Sequence, residues 1–174
     1  MRAEPVGLAC PAAGLDACPV LDLFDELRAL VMALDEAGIP YAVCGGLAVA
    51  IHARPRATVD IDLLLLAEDV DRVRSLANER GYRIESGPLV IRKDIVEIHR
   101  FSKPDPETGD LLSLDLLLVT PALQEIWRGR EGIAWEDGTL SVVSRAGLIA
   151  LKRLRSSGQD LDDILALEAG DDEA

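Results

Sequence analysis

The sequence predicts one α/β (α+β) domain with a helical C-terminal portion, and three observations carry that reading. Short apolar runs bounded by glycine, proline or polar turns alternate with stretches whose apolar residues recur every three or four positions. Two of the runs, Val59–Leu66 and Leu111–Val119, are apolar enough to lie inside a sheet. At 174 residues and 49% hydrophobic content the chain suits one domain with a buried core. That core must be aliphatic, because aromatics make up only 3%.

The elements follow in chain order. Residues 1–20 are rich in Ala, Pro and Gly without periodicity, and Pro5, Pro11 and Pro19 remove backbone donors, so they read as a loose tail. From Leu21 a helix is expected on Phe24, Leu27, Leu30, Val31 and Leu34, stopped by Gly38 and Pro40. Tyr41–Cys44 is a short strand ending in Gly45-Gly46, and a helix over Leu47–Ala53 should follow. Pro55 biases Arg54 away from helix, so Arg54-Pro55-Arg56 is a loop before the strand Val59–Leu66. Glu68–Arg80 is a helix with a stripe of Val70, Val73, Leu76 and Ala77, closed by Gly81.

Weaker strands are expected at Tyr82–Glu85, Leu89–Ile91 and Ile95–Phe101, then a polar turn over Ser102–Asp110. Leu111–Val119 is the second apolar strand, and Pro121 suits the first turn of a helix through Arg128. Ile133–Trp135 and Leu140–Val143 flank Asp137-Gly138, a hairpin signal. Helices over Arg145–Arg155 and Asp160–Leu167 close the chain before an acidic end. The expected organisation is a tail (1–20), one domain (21–168) and an acidic C-terminal tail (169–174).

Charge and composition narrow the function. Thirty-one acidic residues against 18 basic ones give a net charge of −13, which disfavours coating nucleic acid through an overall positive field. A local basic patch can still hold a phosphate-bearing partner. No apolar run approaches the roughly 20 residues of a membrane span, and the start lacks the pattern of a secretory signal. Cys10, Cys18 and Cys44 have no metal-ligand spacing and fit a reducing cytosol, so a cytoplasmic location is expected.

The chemistry lies in a conflict. Val59–Leu66 is apolar, yet it holds Asp60 and Asp62, which strand alternation sends to one face. Burying such carboxylates unpaired costs ~3–5 kcal/mol. Leu111–Val119 repeats the problem with Asp115. If the two strands are neighbours, three carboxylates converge, and a divalent cation with hard oxygen ligands, Mg²⁺, resolves the repulsion. An isolated Asp-x-Asp is most often a solvated strand end or a helix cap; the apolar flanks and Asp115 reverse that reading here. Upstream, Gly45-Gly46 lies between a strand and a helix, where backbone N–H groups can meet a phosphate.

Gly45-Gly46, then His52, then Arg56-Ala57-Thr58-Val59-Asp60-Ile61-Asp62 resembles the signature of the DNA polymerase β-like nucleotidyltransferase superfamily, with Asp115 as its third carboxylate. The fullest likeness is to small bacterial nucleotidyltransferases of the AbiEii toxin type, whose C-terminal helical pattern is matched by Leu148–Lys152, Arg155, Asp160 and Asp163. The likeness spans Tyr41 to Leu167; Ala53 departs from it, where many relatives carry glycine. The resemblance implies the nucleotidyltransferase fold, a mixed central sheet flanked by helices. It also implies that Asp60 and Asp62 hold Mg²⁺ on a nucleoside triphosphate, while Asp115 helps hold a second ion and takes the acceptor's proton. Gly45 and Gly46 would contact phosphate oxygens; Arg56 and Thr58 would steady the loop or the phosphates. A nucleoside monophosphate would pass to an acceptor (tRNA, protein or a small-molecule hydroxyl), with an antitoxin protein as a further partner.

The charge distribution adds Lys152 and Arg155 as nucleotide-binding candidates. Arg145, Lys152, Arg153 and Arg155 lie in an acid-free stretch, and Lys152 borders the stripe of Leu148, Leu151 and Leu154. A solvated basic helix face is the competing reading, and Asp160 and Asp163 either cap the last helix or pair with Lys152 and Arg155. His52 orients the glycine loop or packs, His99 is expected at the surface of a strand, and Cys44 reads as a small buried residue. Phosphatases with Asp-x-Asp place the apolar strand before the first Asp, whereas here it follows. Glycosyltransferases with that motif need a longer nucleotide-binding unit upstream. Two alternatives remain: a drug-modifying enzyme acting on an aminoglycoside or lincosamide hydroxyl, and a non-catalytic partner of the same fold.

Overall fold

The computed structural model describes residues 22–55, 57–91, 95–136, 138–155 and 158–169. The expected N-terminal tail, Arg56, Asp137, residues 170–174 and the side chain of Arg155 lie outside the described residues.

Among the described residues, seven strands form one mixed sheet: β1 (Tyr41–Cys44), β2 (Asp60–Leu65), β3 (Ile84–Ile91), β4 (Val96–Pro104), β5 (Leu111–Leu118), β6 (Glu131–Trp135) and β7 (Gly138–Val142). Their order is β3-β4-β5-β2-β1-β7-β6. β2 and β5 sit at the centre and run parallel, β1 pairs antiparallel with β2 and parallel with β7, and the remaining pairs are antiparallel. The near-continuous apolar runs of β2 and β5 thereby find partners on both edges, with Ile61, Leu63, Leu64, Leu65, Leu114 and Leu116 fully buried.

Among the described residues, six α-helices flank the sheet: α1 (Leu23–Glu36), α2 (Gly45–His52), α3 (Val70–Glu79), α4 (Gln124–Arg128), α5 (Arg145–Arg155) and α6 (Gly158–Ala169). Asp22 caps α1 by accepting from the backbone N–H groups of Phe24 and Asp25, and the expected stripe of Leu27, Leu30, Val31 and Leu34 is the buried face. Pro121 does open a helical turn, a short 3₁₀ segment that leads into α4. α5 packs against both α2 and α6, which brings the C-terminal helices to the glycine turn.

Three differences from expectation bear on how the sheet and the glycine turn are built. α2 begins at Gly45 itself, not at Leu47, because the turn out of β1 is made at a glycine with φ of +61°. The two weak strands Tyr82–Glu85 and Leu89–Ile91 are one edge strand, β3, whose register shifts between Ser86 and Leu89. Gly87-Pro88 occupies that shift, and an edge strand tolerates a proline that cannot donate. Ser102–Pro104 belongs to β4 rather than to a turn, since each residue pairs with β5 across to Ser113, Leu112 and Leu111.

Candidate active site

The site starts from strand register. Asp62 on β2 stands beside Asp115 on β5, with Asp60 beside Ser113. Neighbours in register share a face of the sheet, and alternation keeps Asp60 on the face of Asp62. Asp62 and Asp115 are 7% and 5% exposed, and Asp60 is half-buried.

One further residue joins that face. Arg100 on β4 is in register with Asp115, and its guanidinium forks onto the carboxylate: Nε donates to Oδ1 at 2.7 Å and Nη2 to Oδ2 at 2.6 Å. The paired Asp115 carboxylate, and beyond it the charges of Asp60 and Asp62, hold the guanidinium well above the usual arginine range despite its partial burial. Nothing in the sequence marks Arg100, because only the pairing of β4 with β5 places it there. Among the described residues, no three His, Cys, Asp or Glu side chains stand together as a ready metal-binding group. The three carboxylates share a face, but Arg100 holds both oxygens of Asp115.

The donor set nonetheless suits a divalent cation. Carboxylate oxygens are the ligands Mg²⁺ prefers. Asp62 and Asp115 are buried and Asp60 is half-buried, so the carboxylate oxygens gather on a largely buried sheet face.

The glycine turn is built against these acids. A Cβ on Gly45 would lie 1.9 Å from Asp62 Oδ2, inside any permissible contact. A Cβ on Gly46 would lie 2.7 Å from Thr58 Oγ1, and that hydroxyl donates to the Asp60 carbonyl at 3.5 Å. The two glycines therefore let the start of α2 press onto both the acidic strand and its lead-in. Thr58 props the turn, while Arg56 lies outside the described residues.

Lys152 approaches from α5. It is 7% exposed, and its Nζ donates to Asp163 Oδ2 at 2.6 Å and to Asp160 Oδ1 at 3.3 Å. Of the competing readings, the solvated face is excluded for Lys152, and pairing with α6 is observed. Lys152 also lines a cavity of about 20 Å³ together with Gly45, Asp62, Leu117, Leu148 and Leu151. That volume suits a water, not a nucleotide. Arg145 serves the scaffold, donating to the carbonyls of His52 and Leu167. The His52 ring packs by a 2.8 Å hydrogen bond between Nε2 and the Val143 carbonyl, and Cys44 is fully buried. His99 is not a surface residue: it is half-buried, with Nε2 2.9 Å from Glu97 Oε1.

No protein-family model matches the chain, and no curated protein matches it significantly. Solved structures do. The lincosamide antibiotic adenylyltransferase LnuA, in its lincomycin-bound form, superposes with a TM-score of 0.54 at 16% identity, over 83% of this chain and 95% of LnuA. ANT(2")-Ia in complex with adenylyl-2"-tobramycin gives 0.55 at 14% identity, over 82% and 86% of the two chains. The fold is that of the nucleotidyltransferases. A protein of Thermotoga maritima described as a nucleotidyltransferase, TM1012, agrees at 0.54 and 14% identity over 82% of this chain and 91% of its own. Among the described residues, no helix is long and apolar enough to cross a membrane.

Proposed function

We propose that the chain is a Mg²⁺-dependent nucleotidyltransferase that moves a nucleoside monophosphate from a nucleoside triphosphate to an acceptor, releasing pyrophosphate. The observation that supports this most is the parallel register of β2 with β5, which sets Asp62 beside Asp115 under a glycine turn that admits no Cβ. Asp60, Asp62 and Asp115 would hold Mg²⁺, which supplies positive charge to the triphosphate and to the oxygens of an in-line displacement. The N–H groups at the start of α2 face the phosphates, since the turn is made of glycine and the helix N-terminus carries partial positive charge. The acceptor oxygen forms its bond to the α-phosphorus as the bond to the β-phosphate oxygen breaks, and the pyrophosphate leaves with that electron pair. The acceptor's proton goes to an Asp115 carboxylate oxygen. A cytoplasmic location would supply the triphosphate.

The acceptor is the finer part of the proposal. The motif spacing and the Lys152–Asp160–Asp163 cluster support an AbiEii-type toxin acting on tRNA or a protein, with an antitoxin as partner. The superpositions on LnuA and ANT(2")-Ia support a second reading, adenylylation of an antibiotic hydroxyl, and the net charge of −13 suits a cationic acceptor.

Calorimetric titration of nucleoside triphosphates tests the nucleotide site. Binding should require Mg²⁺ and fall by at least tenfold in Asp60→Ala or Asp62→Ala; equal affinity in EDTA rejects the site. Labelling tests the reaction: α-labelled triphosphates should mark an acceptor among bulk tRNA, protein lysate and aminoglycosides, and γ-labelled ones should not. Transfer of the γ-label means a kinase, and no transfer in any fraction favours the non-catalytic partner.

A further inference from the structure

Among the described residues, Arg100 is the positive group that strand register sets on the face of the three acids. Its partner, Asp115, is the carboxylate that the proposed reaction needs for both metal and proton. A fork of two N–H groups, 2.7 and 2.6 Å from the two carboxylate oxygens, is the strongest single contact a carboxylate makes with a side chain. Asp115 cannot be fully available to a dication while a guanidinium lies in its plane, because the two positive groups repel across a few ångströms. The two side chains differ in freedom. The Asp115 side chain is 7% exposed and fixed in the central sheet, whereas the Arg100 side chain is 50% exposed and has open solvent to move into.

We propose that Arg100 is a tethered counter-cation, a positioning residue that occupies Asp115 when the site is empty and must leave it before a divalent ion is held there. Arg100 neutralises part of the charge that the three carboxylates bring to a largely buried sheet face. Asp115 would be available as a ligand and base only once Arg100 swings outward. Release of Arg100 then leaves a free guanidinium at the rim of the site, in reach of an anionic substrate. This inference rests on the acidic centre being a metal site, and the experiment separates the two.

The test is Mn²⁺ binding by the full chain without nucleotide, followed by the loss of the free-ion electron paramagnetic resonance signal. Arg100→Gln removes the competing charge and should tighten the weaker Mn²⁺ site by about tenfold. Arg100→Lys keeps the charge and should return the affinity to within about threefold of the original protein. Lys103→Gln is the control for net charge: it removes a cation from the same strand, one that pairs with Glu26 at 2.6 Å and not with the acids. It should leave Mn²⁺ affinity within about twofold. Equal or weaker binding by Arg100→Gln, or equal tightening by Lys103→Gln, overturns the tether and leaves the metal site standing. Absence of Mn²⁺ binding by both the original protein and Arg100→Gln overturns the metal site and the tether with it. Melting curves in chelator accompany each variant. A purely structural role for Arg100 would lower the melting temperature without moving Mn²⁺ affinity upward, and that pattern too rejects the tether.

Discussion

Gly45 and Gly38 adopt nearly the same left-handed backbone, with φ of +61° and +64°, but an added Cβ would meet a neighbour at only one of them. A Cβ at Gly38 meets no atom within 4 Å, so Gly38→Ala should cost only the backbone term, about 1 kcal/mol. Gly45→Ala adds the overlap with the Asp62 carboxylate and should cost a further ~1–3 kcal/mol. Urea unfolding of the two variants isolates that overlap; equal losses would mean that Asp62 turns aside freely. Tyr41 offers a second test at this scale. Burial pushes its phenol from 10.0 up to about 12. The unfolded chain therefore releases this proton first as the pH rises. The contribution to stability is intact below about pH 10 and lost as the pH climbs toward 12. Tyr82, also raised chiefly by burial, acts in the same direction. Tyr41→Phe should accordingly lessen, without abolishing, the alkaline decline in melting temperature.

Between elements, the decisive contacts are those that fasten the C-terminal helices to the sheet. Lys152 on α5 shares its amine between Asp160 and Asp163 of α6, all three nearly buried. Lys152 also lines the cavity that Asp62 lines. Replacing Lys152 by alanine leaves two buried carboxylates without that amine, which should destabilise the fold by ~3–5 kcal/mol. Lys152→Met fills the volume but not the charge and should recover only part of the loss, as denaturant midpoints would show. A loss below 1 kcal/mol would mean that the acids find water instead. Arg145 ties α5 to the ends of α2 and α6 through two carbonyls, so the same helix is anchored at both the glycine turn and the C-terminal element.

At the scale of the molecule, the charge of −13 makes the compact state repel itself. Raising ionic strength from about 0.01 M to about 0.1 M shortens the Debye length from ~30 Å to ~10 Å and should raise the melting temperature. Mg²⁺ at equal ionic strength should raise it further if the acids bind the ion, and a chelator should cancel only that second increment. Scanning fluorimetry separates the two, and a Mg²⁺ effect no larger than that of NaCl would count against the metal site.

The sequence by itself determined what local periodicity can encode. Alternation put Asp60 and Asp62 on one strand face, and three-four spacing gave α1 its buried stripe. The apolar runs marked β2 and β5 as interior strands. The glycines announced a turn, and the spacing from them to the acids carried the family resemblance. Tertiary structure alone decided who stands next to whom. β2 and β5 lie far apart in the chain, and no period in either tells which strand will be its neighbour or in what register. Arg100 therefore reads as an ordinary strand cation until β4 pairs with β5, and Lys152 as a half-exposed lysine until α6 folds across it. Periodicity records which face of an element avoids water; the choice of partner is made by packing over long chain separations, where no short window of residues holds the information.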